Sequence, residues 1–133
     1  MIDIIGEEDC FALLASTTVG RVGLVHDGRV EIIPVNYRMR GRDVIIRTGA
    51  DGVLAALPGA AGVAFEIDRH DDLSGSGWSV LLGGTFEVLS DAEIDALESA
   101  ERPLPWAGGE RAVWLRLVVG RVSGRRVKRP QLG

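Results

Sequence analysis

The stretch from Val30 to Leu57, VEIIPVNYRMRGRDVIIRTGADGVLAAL, narrows the choice of fold more than any other part of the chain. Apolar and β-branched residues fill Val30–Arg38 and return over Asp43–Arg47 with Val44, Ile45 and Ile46, and Arg40-Gly41-Arg42 supplies a tight turn between them. That pattern predicts a β-hairpin. Pro34 lies inside the first strand, and a residue without an N–H cannot donate to a central ladder. The strand must therefore run along an edge or through a bulge at that point, leaving neighbouring backbone groups open to another partner. Arg47-Thr48-Gly49 closes the second strand, and Asp51 is placed to cap a short helix over Val53–Leu57. A strand that ends in Arg-Thr just ahead of a helix N-terminus is suited to an anion such as phosphate.

The remaining chain supplies more strands than helices. Glu7–Ala15 opens on acidic residues and carries Phe11, Leu13 and Leu14 near helical spacing, which predicts a short helix. Val19–His26 reads as a strand, and Asp27-Gly28 is a strong hairpin turn into Val30–Arg38. Val63–Asp68 is a further strand, Arg69–Gly77 an exposed loop, and Trp78–Leu89 the longest strand, with Gly83-Gly84 marking a bulge or sharp bend. Ser90 precedes Glu93 at capping-box spacing and opens a helix to about Ala100. A structured loop over Arg102–Gly109 holds Trp106, and Ala112–Ser123 is the last long strand. From Gly124 the chain is basic, and residues 124–133 read as a tail that is mobile at its end. Six or so strands with two or three short helices indicate a closed or partly closed barrel.

At 133 residues the chain makes one domain with room for a real core. A net charge of -4 gives no global basic field for nucleic acid or anionic membrane. One cysteine, Cys10, excludes an internal disulfide and any cysteine-based metal cluster, and suits a reducing cytosol. No segment reaches the ~20 apolar residues of a bilayer span, and Met1-Ile2-Asp3 lacks a secretory pattern, so a cytoplasmic protein is expected.

Few residues announce chemistry on their own. His26 and His70 sit at turns and have no matching ligand motif elsewhere, so they read as solvated turn residues. Neither Gly75-Ser76-Gly77 nor Gly83-Gly84 fits a nucleotide loop, and no nucleophile signature surrounds Ser79 or Cys10. The run Gly124-Arg125-Arg126-Val127-Lys128-Arg129-Pro130 is short in an acidic chain and reads first as solubilising. Trp78 stands apart. It follows flexible glycines, begins a strand beside Ser79, and pairs a flat aromatic with a hydroxyl at a strand mouth, as a ligand pocket would.

In order along the chain, Leu14-Ala15-Ser16, Gly20-Arg21-Val22-Gly23, Ile33-Pro34-Val35-Asn36-Tyr37, Val44-Ile45-Ile46-Arg47-Thr48, Phe65-Glu66-Ile67-Asp68 and Gly77-Trp78-Ser79-Val80 resemble the pyridoxamine 5'-phosphate oxidase-like family of flavin-binding split β-barrels. Trp106 and Trp114-Leu115-Arg116-Leu117 also fit. The resemblance implies a mainly β fold, a six-stranded antiparallel split β-barrel with two or three short helices, as a single domain over residues 1–133. It implies a homodimer with flavin sites at the subunit interface and a small-molecule substrate, with neither nucleic acid nor membrane as a partner.

By the same resemblance, the backbone of Pro34, Val35, Asn36 and Tyr37 would lie along the isoalloxazine ring, and Arg47 and Thr48 would hold the ribityl-phosphate end. Trp78 and Ser79 would reach the site from the partner. FMN is the first cofactor implied, a deazaflavin the alternative, and haem less favoured. In many relatives a lysine shortly after the Arg-Thr pair joins in holding the phosphate; here that position is Val53, with Asp51 nearby. Losing one such charge-assisted hydrogen bond costs ~1.5–3 kcal/mol.

The function implied is a flavin- or deazaflavin-dependent oxidoreductase acting on a small molecule, with no catalytic side chain to name. A non-catalytic flavin- or small-ligand-binding barrel is the rival reading, and a protein-interaction domain working through the basic tail a weaker third. Oxidation of pyridoxamine phosphate itself is not expected, because the chain is short and shows no additional phosphate-binding cluster.

Overall fold

The computed structural model describes residues 1–104 and 112–128. Its strands are β1 (Ile2–Ile5), β2 (Val19–His26), β3 (Arg29–Arg40), β4 (Asp43–Gly49), β5 (Val63–Asp71), β6 (Ser76–Val88) and β7 (Ala112–Val127). Helix α1 (Glu7–Ala15) precedes β2, and the short α2 (Asp91–Asp95) follows β6. Hydrogen-bonded neighbours run β7-β4-β3-β2-β5-β6, and β6 pairs back onto β7, so antiparallel strands close the six-membered ring that the sequence predicts. Strand β1 lies outside the ring, paired with Gly124–Val127 of β7.

Local chemistry accounts for the hairpins. Asp27 and Gly28 both take positive φ, 52° and 75°, as the type of two-residue turn that matches strand twist requires. Alternate residues then face inward and form the core, including Val22, Leu24, Val35, Tyr37, Phe65, Ile67, Val80, Leu82, Leu115 and Leu117. Helix α1 lays Cys10 and Leu14 on that core. The buried Tyr37 hydroxyl donates to the Leu14 carbonyl oxygen at 2.6 Å, and its ring meets Phe65 edge-on with centroids 4.9 Å apart. A satisfied phenol and an aromatic pair thus fasten helix to barrel.

The barrel is split along β3. Strand β4 pairs with β3 only over Tyr37–Arg40, whereas Arg29–Asn36 has β2 on one side and, among the described residues, no strand on the other. Pro34 falls in that half-paired segment, opposite Arg21, so its missing N–H disrupts nothing. Across the ring, Gly83 pairs with Arg121 and Gly84 with Val119, which leaves Gly120 as an extra residue in β7. A second, smaller apolar cluster of Ile45, Leu89 and Leu97, with Ile94 and Trp114 against it, lies under α2.

Four expectations change in detail. The basic stretch from Gly124, read as a tail, is strand as far as Val127 because β1 and β6 both bond it. The Arg69–Gly77 loop shrinks to a turn between β5 and β6. The capping box forms, with Ser90 N–H donating to Glu93 Oε1 at 3.1 Å and Glu93 N–H to Ser90 Oγ at 3.2 Å, yet α2 ends at Asp95 rather than near Ala100. Asp51 caps nothing: the turn over Val53–Gly59 is 3-10, with Gly52 at its N-cap and no side-chain bond there. Trp106 and residues 129–133 lie outside the described residues.

Candidate functional site

Alternation along β3 sorts the predicted edge residues. Val35 and Tyr37 are buried, whereas Pro34 and Asn36 face outward, with Asn36 Nδ2 donating to the Leu104 carbonyl oxygen at 3.2 Å. The Tyr37 N–H donates to Thr18 of the β2 side at 2.9 Å. The carbonyl of Pro34, of opposite parity to the β2-bonded groups, points to the side where β3 has no strand neighbour among the described residues. What this edge offers a ligand is therefore backbone, not the Val35 or Tyr37 side chains.

Arg47 and Thr48 follow one another on β4, so their side chains leave on opposite faces. Arg47 shares the outer face with Ile45, its guanidinium carbon 4.9 Å from the Trp114 ring centroid. Its Nε is buried with no hydrogen-bond partner among the described residues. Thr48 Oγ1 makes only a long contact of 3.5 Å to the Gly49 carbonyl, leaving the hydroxyl available at the strand end. Val53 packs its side chain against the main core.

Trp78 and Ser79 sit far from these groups. Trp78 registers with Arg126 of β7, while Arg47 registers with Trp114 at the other end of that strand. Twelve residues of β7 separate the two positions, about 40 Å along the chain at ~3.3 Å per residue. One subunit thus brings together Pro34, Asn36 and Arg47 on one side, and Trp78 with Ser79 on another.

The outer face of β2 and β5 holds a group that sequence reasoning passed over. Arg21 Nη1 reaches Glu66 Oε1 at 3.0 Å and Asp68 Oδ2 at 2.7 Å. Exposed Val19 and Val25 of β2, Val30 and Ile32 of β3 and Leu81 of β6 lie around it. The signal was present as two acids two residues apart, Glu66 and Asp68, which share a strand face.

A family model described as pyridoxamine 5'-phosphate oxidase matches residues 6–126. The chain belongs to that family. No curated protein matches it. Among solved structures, the FAD binding protein from Mycobacterium smegmatis is 29% identical with a TM-score of 0.79, covering 95% of this chain and 100% of that one. An FAD-binding protein from Mesorhizobium loti shares the fold at 20% identity and TM-score 0.80, over 96% of this chain and 99% of that one. The FAD and heme binding protein from M. smegmatis does so at 22% identity and TM-score 0.71, over 94% of this chain and 72% of that one.

Within this family member, the Glu66 carboxyl is pushed up to about 7, by burial first and then by Asp68, against the lowering pull of Arg21. A carboxyl whose folded pKa exceeds its unfolded value binds its proton more tightly in the folded state. Stability therefore falls as pH rises from about 4.5 to about 7 and levels off above. Glu66→Gln should remove that slope: the variant melts above wild type at pH 8 and with it below pH 4.5. Parallel melting profiles across that range would reject the assignment. The lost ion pair is half exposed at Arg21 and weighs little.

Proposed function

We propose that this member of the pyridoxamine 5'-phosphate oxidase family is a homodimeric flavin-dependent oxidoreductase acting on a small molecule. The observation that carries the reading is the buried Nε of Arg47, without a partner among the described residues, on the same side of the barrel as the half-paired edge of β3. A cation with an unmet donor seeks an anion, and an open strand edge offers backbone to a flat polar ring. A flavin phosphate and isoalloxazine answer both needs. The 29% identical relative described as an FAD binding protein supports the same class.

Arg47 would hold the phosphate with Thr48 at the strand end, and Pro34–Tyr37 would present backbone to the ring. Bound flavin supplies hydride or electron transfer; the chain binds, orients and screens it. FMN is the form favoured, since one guanidinium serves one phosphate, with a deazaflavin as the alternative. Trp78 and Ser79 lie too far along β7 to serve the same flavin within one subunit, so they would come from the partner. The exposed apolar residues Val25, Val30 and Ile32 on the β2–β3 hairpin give a second copy a surface to cover. The single buried thiol of Cys10 suits a reducing compartment, and we place the protein in the cytoplasm. Among the described residues no helix is long and apolar enough to cross a membrane.

Titration with FMN, FAD and a deazaflavin, followed by flavin fluorescence, tests the reading. Saturable binding of at least one is expected, and none at high micromolar concentration would overturn it. Val53→Lys should tighten FMN binding about tenfold by restoring a second cation. The non-catalytic alternative is favoured by Val53 itself, and predicts flavin binding without turnover of any electron donor. Light scattering should give a dimer, and Ile32→Glu a monomer.

A further inference from the structure

We infer that the cavity beside Trp78 is a second binding site, built for a nucleotide: a flat ring system against the indole and a phosphate among Arg69, Arg126 and Lys128. Antiparallel register sets Arg69 of β5 opposite Trp78 of β6, and Trp78 opposite Arg126 of β7. Cross-strand partners share a face, so one row presents guanidinium, indole, guanidinium. Lys128 follows two residues after Arg126, and its N–H donates to the Met1 carbonyl at 3.1 Å, which fixes the end of the strand beside the row. Together these residues line a cavity of about 620 Å³, within the ~300–1,000 Å³ usual for small-molecule sites.

Three cations outnumber the two acids around them. Asp71 and Asp72 also line the cavity, but each is engaged within its own turn. Asp71 Oδ1 accepts the Leu73 N–H at 3.0 Å, and Asp72 Oδ1 stands 2.9 Å from His70 Nε2. No ion pair among the described residues involves Arg69, Arg126 or Lys128, and neither guanidinium is stacked on Trp78. Two forked donors and a point charge suit a multiply charged phosphate, and a half-buried indole suits a ring of its own size. In a chain with net charge -4 this is a local exception.

The site lies wholly within one subunit and needs no flavin. In the proposed dimer Trp78 also serves the partner's flavin, so the phosphate has two sources: the adenylate end of FAD, or a free nucleotide.

The probe is AMP, titrated calorimetrically into flavin-free protein, with adenosine and inorganic phosphate as its parts. AMP should bind saturably and more tightly than either part. Arg69→Gln with Arg126→Gln should weaken it at least tenfold, and these exposed positions put the fold at little risk. Arg121→Gln, an exposed position on the same strand that does not line the cavity, should leave it unchanged. The FAD-to-FMN affinity ratio then identifies the source. A ratio that falls in the double variant points to the adenylate of FAD; one that holds while AMP binding is lost points to a free nucleotide. Wild type that ignores AMP, a double variant that binds it as wild type does, or equal loss in Arg121→Gln would each overturn the site. FMN titration of the same samples reads the flavin proposal separately.

Discussion

Gly84→Ala should destabilise this protein by about 3 kcal/mol or more, beyond the usual range for a one-methyl change. A Cβ at Gly84 would run into the carbonyl oxygen of Val118, and that oxygen belongs to backbone held in the β6–β7 ladder. A flexible side chain can move aside; a paired strand cannot without breaking its ladder. Gly62→Ala is the control, since a Cβ there meets nothing within 4 Å. Thermal unfolding of the two variants reads the difference directly. A Gly84→Ala protein that melts within two degrees or so of Gly62→Ala would show that the strand crossing is looser than described.

The second large effect concerns the ligand. Arg47→Gln should raise the dissociation constant for FMN by roughly ten- to a hundredfold, the worth of one charge-assisted hydrogen bond at ~1.5–3 kcal/mol. Its effect on melting temperature without flavin should be small or positive, because the substitution removes a buried donor that has no partner among the described residues. That combination separates a binding role from a structural one. Loss of stability without loss of FMN affinity would make Arg47 a packing residue against Trp114, and the phosphate seat would have to be sought elsewhere.

Much of the barrel was legible because its strands carry local signals. The Asp27-Gly28 turn, the alternation on β2 and β3, the Ser90–Glu93 box and the glycine pair on β6 are all short-range patterns with one structural solution each. What sequence could not show depends on distant partners. β1 is only four residues long, and is a strand because Gly124–Val127 lies beside it. The same pairing turns a supposed basic tail into a barrel wall.

The candidate sites divide in the same way. The outward position of Pro34 and the strand-end position of Arg47 follow from alternation, whereas the unmet Nε and the stacking on Trp114 require coordinates. The row of Arg69, Trp78 and Arg126 was hidden for a simple reason. Its members are 9 and 48 positions apart in sequence, counted between consecutive members, and only register brings them side by side. No additional phosphate cluster was visible along the chain because none exists along the chain.

Gly120 has a role larger than its size. Before it, odd-numbered residues of β7 (Leu115, Leu117) are the buried ones; after it, the inward set is even-numbered, with Val122 opposite buried Leu82 and Gly124 opposite buried Val80. One inserted residue therefore acts as a phase shift for the last strand. Were Gly120 paired as an ordinary strand residue instead of bulging, the odd series would continue inward, driving Arg121, Ser123 and Arg125 toward the core and turning Val122 and Arg126 out. The bulge at a residue with no side chain thus decides which of two adjacent arginines is the register partner of Trp78.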